Sequence, residues 1–336
     1  MKISMRLKFA VLLIALMVLV IGSWSCQDSR KGYSGKVESI TIGMDPTAVN
    51  SLIYIAENRG YFTENGLNVT IKEYASGKAA VDGMLRNEVD VATAAESVVV
   101  GQALKKESIR PMTSIDKFLH IYLVGRRDRG ISSVADLKGK RIGVTLKTAA
   151  EFYLGRFLDL HGMNIRQVTL VNMNPPQSVD AMVKGEVDAA IAWQPNVKAI
   201  EDRLGSEIVK WGAQEGQAAY CVVIGRGEWV AKHPELIKRF LNSLAEAEEY
   251  IIHYSAEAKT ILKKRLQYDD AYMTAIWTEH QLSVSLDQSL ILAMEDEARW
   301  MIKNNLTSEK QVPNFLDYIY QDGLKAVKPE AVNIIN

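Results

Sequence analysis

From Val37 onward, short apolar runs alternate with segments whose apolar residues recur three and four positions apart. Ile40 to Met44, Leu67 to Tyr74 and Val89 to Ala94 have the β-rich composition of buried strands; Arg141 to Val144, Val168 to Asn172 and Asp188 to Trp193 repeat it. Between them, Val49 to Asn58, Lys78 to Asn87, Ala149 to His161 and Gln177 to Lys184 follow the helical period. Val81, Met84 and Leu85 fall at i, i+3 and i+4, as do Val179, Met182 and Val183, so each helix carries one apolar stripe to lay on a sheet. Strands alternating with helices in this way imply parallel βαβ units.

The two sets are copies. Val81-Asp-Gly-Met-Leu-Arg-Asn-Glu-Val-Asp-Val-Ala92 aligns without a gap on Val179-Asp-Ala-Met-Val-Lys-Gly-Glu-Val-Asp-Ala-Ala190, 98 residues later. Ile42-Gly43 returns as Ile142-Gly143 after 100 residues, and Gly66-Leu-Asn-Val69 as Gly162-Met-Asn-Ile165 after 96. That period is too long for a solenoid and fits two similar lobes. After Tyr220 the pattern changes: Cys221 to Gly225 reads as one more strand, and Pro234 to Tyr254, Ala256 to Leu266 and Leu290 to Asn304 as helices that need a sheet to cover. The expected organisation is lobe 1 from 37–124 and 220–336, and lobe 2 from 125–219, with two hinge crossings near Leu123–Gly125 and Tyr220–Ile224.

The first residues bear on the compartment. Lys2, Arg6 and Lys8 precede Phe9 to Ile21, an apolar run of 13 residues. A spanning helix needs about 20, so residues 1–25 read as a secretory leader, with a short uncleaved anchor as the alternative. Ser23-Trp-Ser-Cys26 resembles a lipobox, although an aliphatic residue is usual where Ser23 stands; it makes Cys26 the expected lipidation site, and the polar residues 26–36 read as a tether. The remaining cysteine, Cys221, sits in an apolar run and has no partner, so there is no disulfide framework. The 40 basic and 40 acidic residues become 37 against 40 without the leader, which offers no basic field for nucleic acid. The expected location is outside the cytoplasmic membrane, in the periplasm or lipid-anchored to the membrane's outer face.

In open α/β sheets ligands bind beyond the carboxyl ends of the strands. Two such sheets facing one another place the candidates on the strand-to-helix turns. In lobe 1 these are Asp45, Asn50 and Ser51, then Ser76 and Gly77, then Thr93 and Glu96; in lobe 2 they are Thr145, Lys147 and Thr148, then Trp193 and Gln194. Ser76-Gly77 and Lys147-Thr148 open helices, where free amides face an anion. Helix capping by Ser76 or Thr148 accounts for the same residues without a ligand. Asp45 and Glu96 would hold an amine or amidine, or cap the helices that follow. Trp193 would cover a flat or apolar group, or pack in the core. Together they suit a small zwitterion.

These stretches resemble the nitrate/sulfonate/taurine and thiamine-precursor class of ABC-transporter substrate-binding proteins. The resemblance is carried by Ser51-Leu-Ile-Tyr-Ile-Ala-Glu-Asn-Arg-Gly-Tyr-Phe-Thr-Glu-Asn-Gly-Leu-Asn-Val69, Gly83 to Ala92, Asp136-Leu-Lys-Gly-Lys-Arg-Ile-Gly-Val144 and His233 to Leu241. It implies a two-lobed type II periplasmic binding fold, each lobe a βα sandwich, that closes on a small solute and docks on a permease driven by an ATPase. The turn Thr145-Leu-Lys-Thr-Ala149 departs from the sulfonate-binding pattern, which is richer in Gly and Ser there. The resemblance implies a monomeric binder without cofactor or metal. Two alternatives share the fold: an enzyme of the thiamine-pyrimidine synthase type and an extracellular sensory module. The sequence has no Gly-x-Ser-x-Gly, P-loop, His-Glu-x-x-His or Cys-x-x-Cys, and its five histidines lack metal-ligand spacing.

Overall fold

The structure is a computed structural model that describes residues 33–335. The leader, Cys26 and most of the tether lie outside the described residues.

In chain order the first part comprises β1 (Glu38–Met44), α1 (Ser51–Arg59), the single turn α2 (Tyr61–Glu64), β2 (Leu67–Glu73), α3 (Gly77–Leu85), β3 (Val91–Ala95), α4 (Glu96–Ala103) and β4 (Ile109–Phe118). The middle part comprises β5 (Ile121–Arg126), β6 (Arg141–Val144), α5 (Ala149–Leu160), β7 (Thr169–Asn172), α6 (Pro175–Lys184), β8 (Ala189–Trp193), α7 (Asn196–Leu204) and β9 (Ile208–Gly212). The last part holds β10 (Ala219–Arg226), α8 (Gly227–Lys232), α9 (Pro234–His253), α10 (Ser255–Leu266), α11 (Asp270–Trp277), β11 (His280–Gln281), α12 (Gln288–Lys303) and α13 (Asp322–Val327).

Two sheets result, ordered β11-β4-β10-β3-β1-β2 and β7-β6-β8-β5-β9. In the first, β1 lies parallel between β2 and β3; in the second, β6 lies parallel between β7 and β8. The registers match across the repeat, Ile42 facing Val91 and Ile142 facing Ala189. The repeated aspartates explain part of this register. Asp90 accepts the Thr41 amide at 2.7 Å, and Asp188 accepts the Arg141 amide at 2.9 Å, so each carboxylate ties the third strand of its lobe to the first.

The fourth strand of each sheet arrives from the other lobe. β5 follows β4 yet pairs antiparallel with β8, and β10 follows β9 yet pairs antiparallel with β3. Each exchanged strand ends in an arginine, and each arginine bonds the equivalent methionine carbonyl of the repeat. Arg126 donates to the carbonyls of Met182 and Val183, and Arg226 to those of Met84 and Val89. Each guanidinium thus satisfies a carbonyl in the last turn of its lobe's second helix, Met182 or Met84, where a cation is favoured; Arg126 adds the next helix carbonyl and Arg226 one in the turn before β3. The crossings are short, Leu119–His120 and the segment 213–218. The crossing expected near Leu123–Gly125 falls inside β5, already paired in the second sheet; the return expected near Tyr220–Ile224 falls inside β10. β4, β9, α7, α11 and α13 are elements the apolar pattern did not separate.

The C-terminal helices cover lobe 1 as expected. α9 packs on α1 and on α2, where the Phe62 and Phe240 rings stack at 5.6 Å. α12 lies against α4 of lobe 1 and also reaches α5 of lobe 2, where Trp300 meets Phe152 edge-on at 5.6 Å. Among the described residues no helix is long and apolar enough to cross a membrane.

Candidate functional site

The carboxyl ends of both sheets' strands face one another across a cavity of about 490 Å³, part of it open to solvent. Lobe 1 supplies Asp45 and Thr47 after β1, Ser76 and Gly77 at the start of α3, and Ala94 and Ala95 at the end of β3. Lobe 2 supplies Thr148 and Ala149 at the start of α5, and Trp193 at the end of β8. The repeat therefore puts equivalent turns on opposite walls.

Asp45 is the cavity's buried charge, 8% exposed. Thr47 and the Asn50 amide donate to its carboxylate, each at 3.4 Å, and Asn50 also donates to the Asp45 carbonyl at 2.8 Å. The Trp193 side chain faces the same cavity from the other lobe. Burial pushes the Asp45 carboxyl up to about 6, and its own backbone amide, then Thr47 and Asn50, restrain that rise by favouring the anion, with the Trp193 indole adding least. Asp45 is therefore mainly ionised at neutral pH.

Two helices open onto the same space. Ser76 caps α3, its hydroxyl accepting the Ala79 amide at 3.2 Å. Thr148 precedes α5 and donates its hydroxyl to the Thr145 carbonyl at 2.6 Å. The first amides of a helix have no acceptor within it, and the dipole places partial positive charge there. Gly77 permits the close approach on the lobe 1 side, because a Cβ there would stand 2.8 Å from the Ala94 Cα.

Not every candidate lines this cavity. Asn50 stands behind Asp45 and holds it. Ser51 donates its hydroxyl to the Ala48 carbonyl at 2.6 Å. Thr93 is wholly buried in β3. Glu96 points into the interior, accepts the Tyr220 amide at 2.9 Å, and is pushed up to about 8 by burial. Thr145 donates to the Met173 carbonyl at 2.9 Å. Gln194 accepts the Lys198 amide at 3.1 Å and the Tyr272 hydroxyl at 3.1 Å, the latter a second link between lobe 2 and the C-terminal helices. Lys147 lines a neighbouring groove instead.

Other lining residues went unanticipated: Val98 on α4, and Phe118, His120, Ile121 and Cys221 from the crossings and the strands beside them. A chain that passes between two sheets necessarily borders the space between them, and that was the available signal. Burial, followed by the neighbouring His280, holds the His120 ring far below the usual imidazole range, so it is neutral. Its ring lies 4.4 Å from Phe118 and edge-on to His280 at 5.1 Å. Burial pushes the Cys221 thiol well up, which keeps it from being a thiolate nucleophile. Gln214 locks the two crossings together: it donates to the Phe118 carbonyl at 2.9 Å and accepts the Ile121 amide at 2.8 Å. No cluster of three or more metal-ligating side chains occurs among the described residues.

Two lobes joined by two short crossings around a shared cavity define the periplasmic binding protein architecture. Residues 48–258 match the family described as NMT1/THI5 like, and the chain belongs to that family. The taurine-binding periplasmic protein of Escherichia coli (strain K12) is 25% identical over 227 residues, 65% of this chain and 68% of that one. The alkanesulfonate-binding protein SsuA from Xanthomonas axonopodis pv. citri, solved bound to MOPS, superposes with a TM-score of 0.75 at 18% identity, covering 86% of this chain and all of that one. The relatives also include an enzyme, the 4-amino-5-hydroxymethyl-2-methylpyrimidine phosphate synthase of Aspergillus parasiticus, 25% identical over 232 residues, 63% of this chain and 66% of that one.

Proposed function

We propose that this chain is an extracytoplasmic solute-binding lipoprotein, monomeric, tethered through a lipid on Cys26, that delivers a small polar organic solute or anion to an ABC permease and its ATPase. The cavity carries the reading. Its walls come from both lobes, so a solute touches both only when they meet, and its differential contacts favour the closed form. The taurine-binding relative and the leader-like residues 1–25 support the same compartment and role.

The polar groups suit a small zwitterion. An anionic group fits against the starts of α3 and α5, and an ammonium fits toward Asp45, with Trp193 and Phe118 covering the carbon chain between them. Taurine and short aminosulfonates have this form.

The test is a thermal-shift and calorimetric screen of the chain from Gln27 onward with taurine, alkanesulfonates, aminopyrimidines and small amines. A ligand at 100 times its dissociation constant stabilises by about 2.7 kcal/mol. A strong shift that disappears in Trp193→Ala supports the reading, and silence across the screen counts against it. Cys26→Ser should release the protein from the membrane fraction.

The Aspergillus relative motivates a second reading, an enzyme on the same frame. Mass spectrometry of a bound ligand after prolonged incubation separates the two: a binder returns it unchanged.

A further inference from the structure

Beside the cavity runs a second groove of about 1090 Å³ that meets it at Lys78 and Val98, residues lining both. Three ammonium groups line it: Lys78 in the first turn of α3, Lys105 just past α4, and Lys147 from lobe 2. Lys78 pairs with Asp82 on its own helix. Lys105 reaches a neutral partner, the Gln102 amide oxygen at 3.5 Å. Lys147 is exposed, and its ammonium has no hydrogen bond or ion pair among the described residues. Two carboxylates share the groove, Glu309, paired with Lys106 at 2.9 Å, and Glu151, which accepts the Lys147 amide at 2.7 Å.

Two observations mark this as more than a basic surface. Ser97 lines the groove, is 1% exposed, and its hydroxyl has no hydrogen-bond partner. A buried hydroxyl without a partner is costly unless something else satisfies it. Lys147 itself is held at φ +63°, the left-handed region that a lysine rarely adopts, with Glu151 anchoring its amide. That turn carries its side chain to this groove rather than to the cavity.

We propose that the groove is an oxyanion subsite for a phosphate-type group, received by Lys105, Lys147 and the Ser97 hydroxyl, with Lys78 at the junction with the cavity. Like charges from two lobes repel as the lobes meet, and an oxyanion between them turns that repulsion into attraction. The subsite extends the solute-binding reading: a solute whose body fills the cavity would place a phosphate here, and a free anion has the same chemistry.

The test is calorimetry on the chain from Gln27 onward at low ionic strength, with inorganic phosphate, O-phosphoethanolamine and taurine as probes. Inorganic phosphate should bind the unaltered protein, and Lys105→Gln with Lys147→Gln should weaken it by at least about tenfold while the melting temperature is unchanged. The double arginine variant should retain binding, since it keeps the charge. If Trp193→Ala weakens O-phosphoethanolamine but not inorganic phosphate, the group belongs to a solute spanning both sites. If Trp193→Ala affects neither, the subsite takes free anions. Failure of phosphate to bind, or equal affinity in the double glutamine variant, overturns the subsite. Loss of taurine binding in Trp193→Ala reports on the cavity alone, so the two ideas fail separately.

Discussion

Trp193, at the end of β8 in lobe 2, and Asp45, which follows β1 in lobe 1, line one cavity from opposite walls, and the indole favours the ionised form of the Asp45 carboxyl. A donor from one lobe thus steadies the buried charge of the other. Trp193→Phe keeps the ring surface and removes the N–H. Because the indole N–H favours the anion, its loss should raise the Asp45 carboxyl above its value of about 6. A carbon-detected NMR titration of the Asp45 side chain reads this directly; an unchanged midpoint would show that the indole does not act on the carboxylate.

Stability should depend on pH through the interior carboxyls. Burial pushes Glu96 up to about 8 and Glu297 well above its usual range, the latter raised further by the nearby Glu96. Such groups keep their protons in the folded state while the unfolded chain has already released them. Stability is then greatest below the unfolded value near 4.5 and falls as pH rises toward 8, by up to about 1.4 kcal/mol per pH unit for each proton retained. Glu96→Gln with Glu297→Gln should flatten urea-derived stability between pH 5 and about 8. A slope identical to that of the unaltered protein would mean that other groups carry it.

Gly77→Ala should damage the cavity from the lobe 1 side. The new methyl would stand 2.8 Å from the Ala94 Cα, a backbone atom that cannot rotate away. The expected cost is about 1–3 kcal/mol, typical of overpacking, with loss of the ligand-induced thermal shift. Denaturant melts alongside the ligand screen separate the two effects; normal stability with normal binding would place Gly77 outside any tight approach.

Gln214→Ala should loosen the hinge. It removes both bonds that tie Phe118 to Ile121 through one side chain, leaving a buried amide and carbonyl short of partners. About 1–3 kcal/mol should be lost for each group left unpaired. Small-angle scattering of the ligand-free variant should show a larger radius of gyration than that of the unaltered protein.

The doubled lobe was legible because its helices carry the same apolar stripe and its aspartates recur in register; Asp90 and Asp188 proved to be strand ties. The exchanged strands were not legible in the same way. Ile121 to Gly125 reads as an apolar strand in any sheet, and only long-range pairing with β8 decides which one. The matching roles of Arg126 and Arg226 were hidden for a related reason, since their partners are carbonyls rather than side chains. In the site, the strand-end rule led to Asp45, Ser76, Gly77, Thr148 and Trp193. It carried no information on which way a side chain turns: Glu96 faces inward from its helix, and a positive φ swings Lys147 aside. His120 came from a crossing and Cys221 from β10 beside the other, where no turn motif announces them.

The way lobe 2 is joined to the rest has an evolutionary consequence. It is one continuous insert whose two ends meet, the Ala213 amide donating to the Ile121 carbonyl at 3.0 Å. A stretch with adjoining ends behaves as a cassette. Recombination at those two points would exchange one whole wall of the binding space while the first sheet, its helices and the oppositely facing Asp45 stayed in place, so ligand preference in such a chain is free to change by halves.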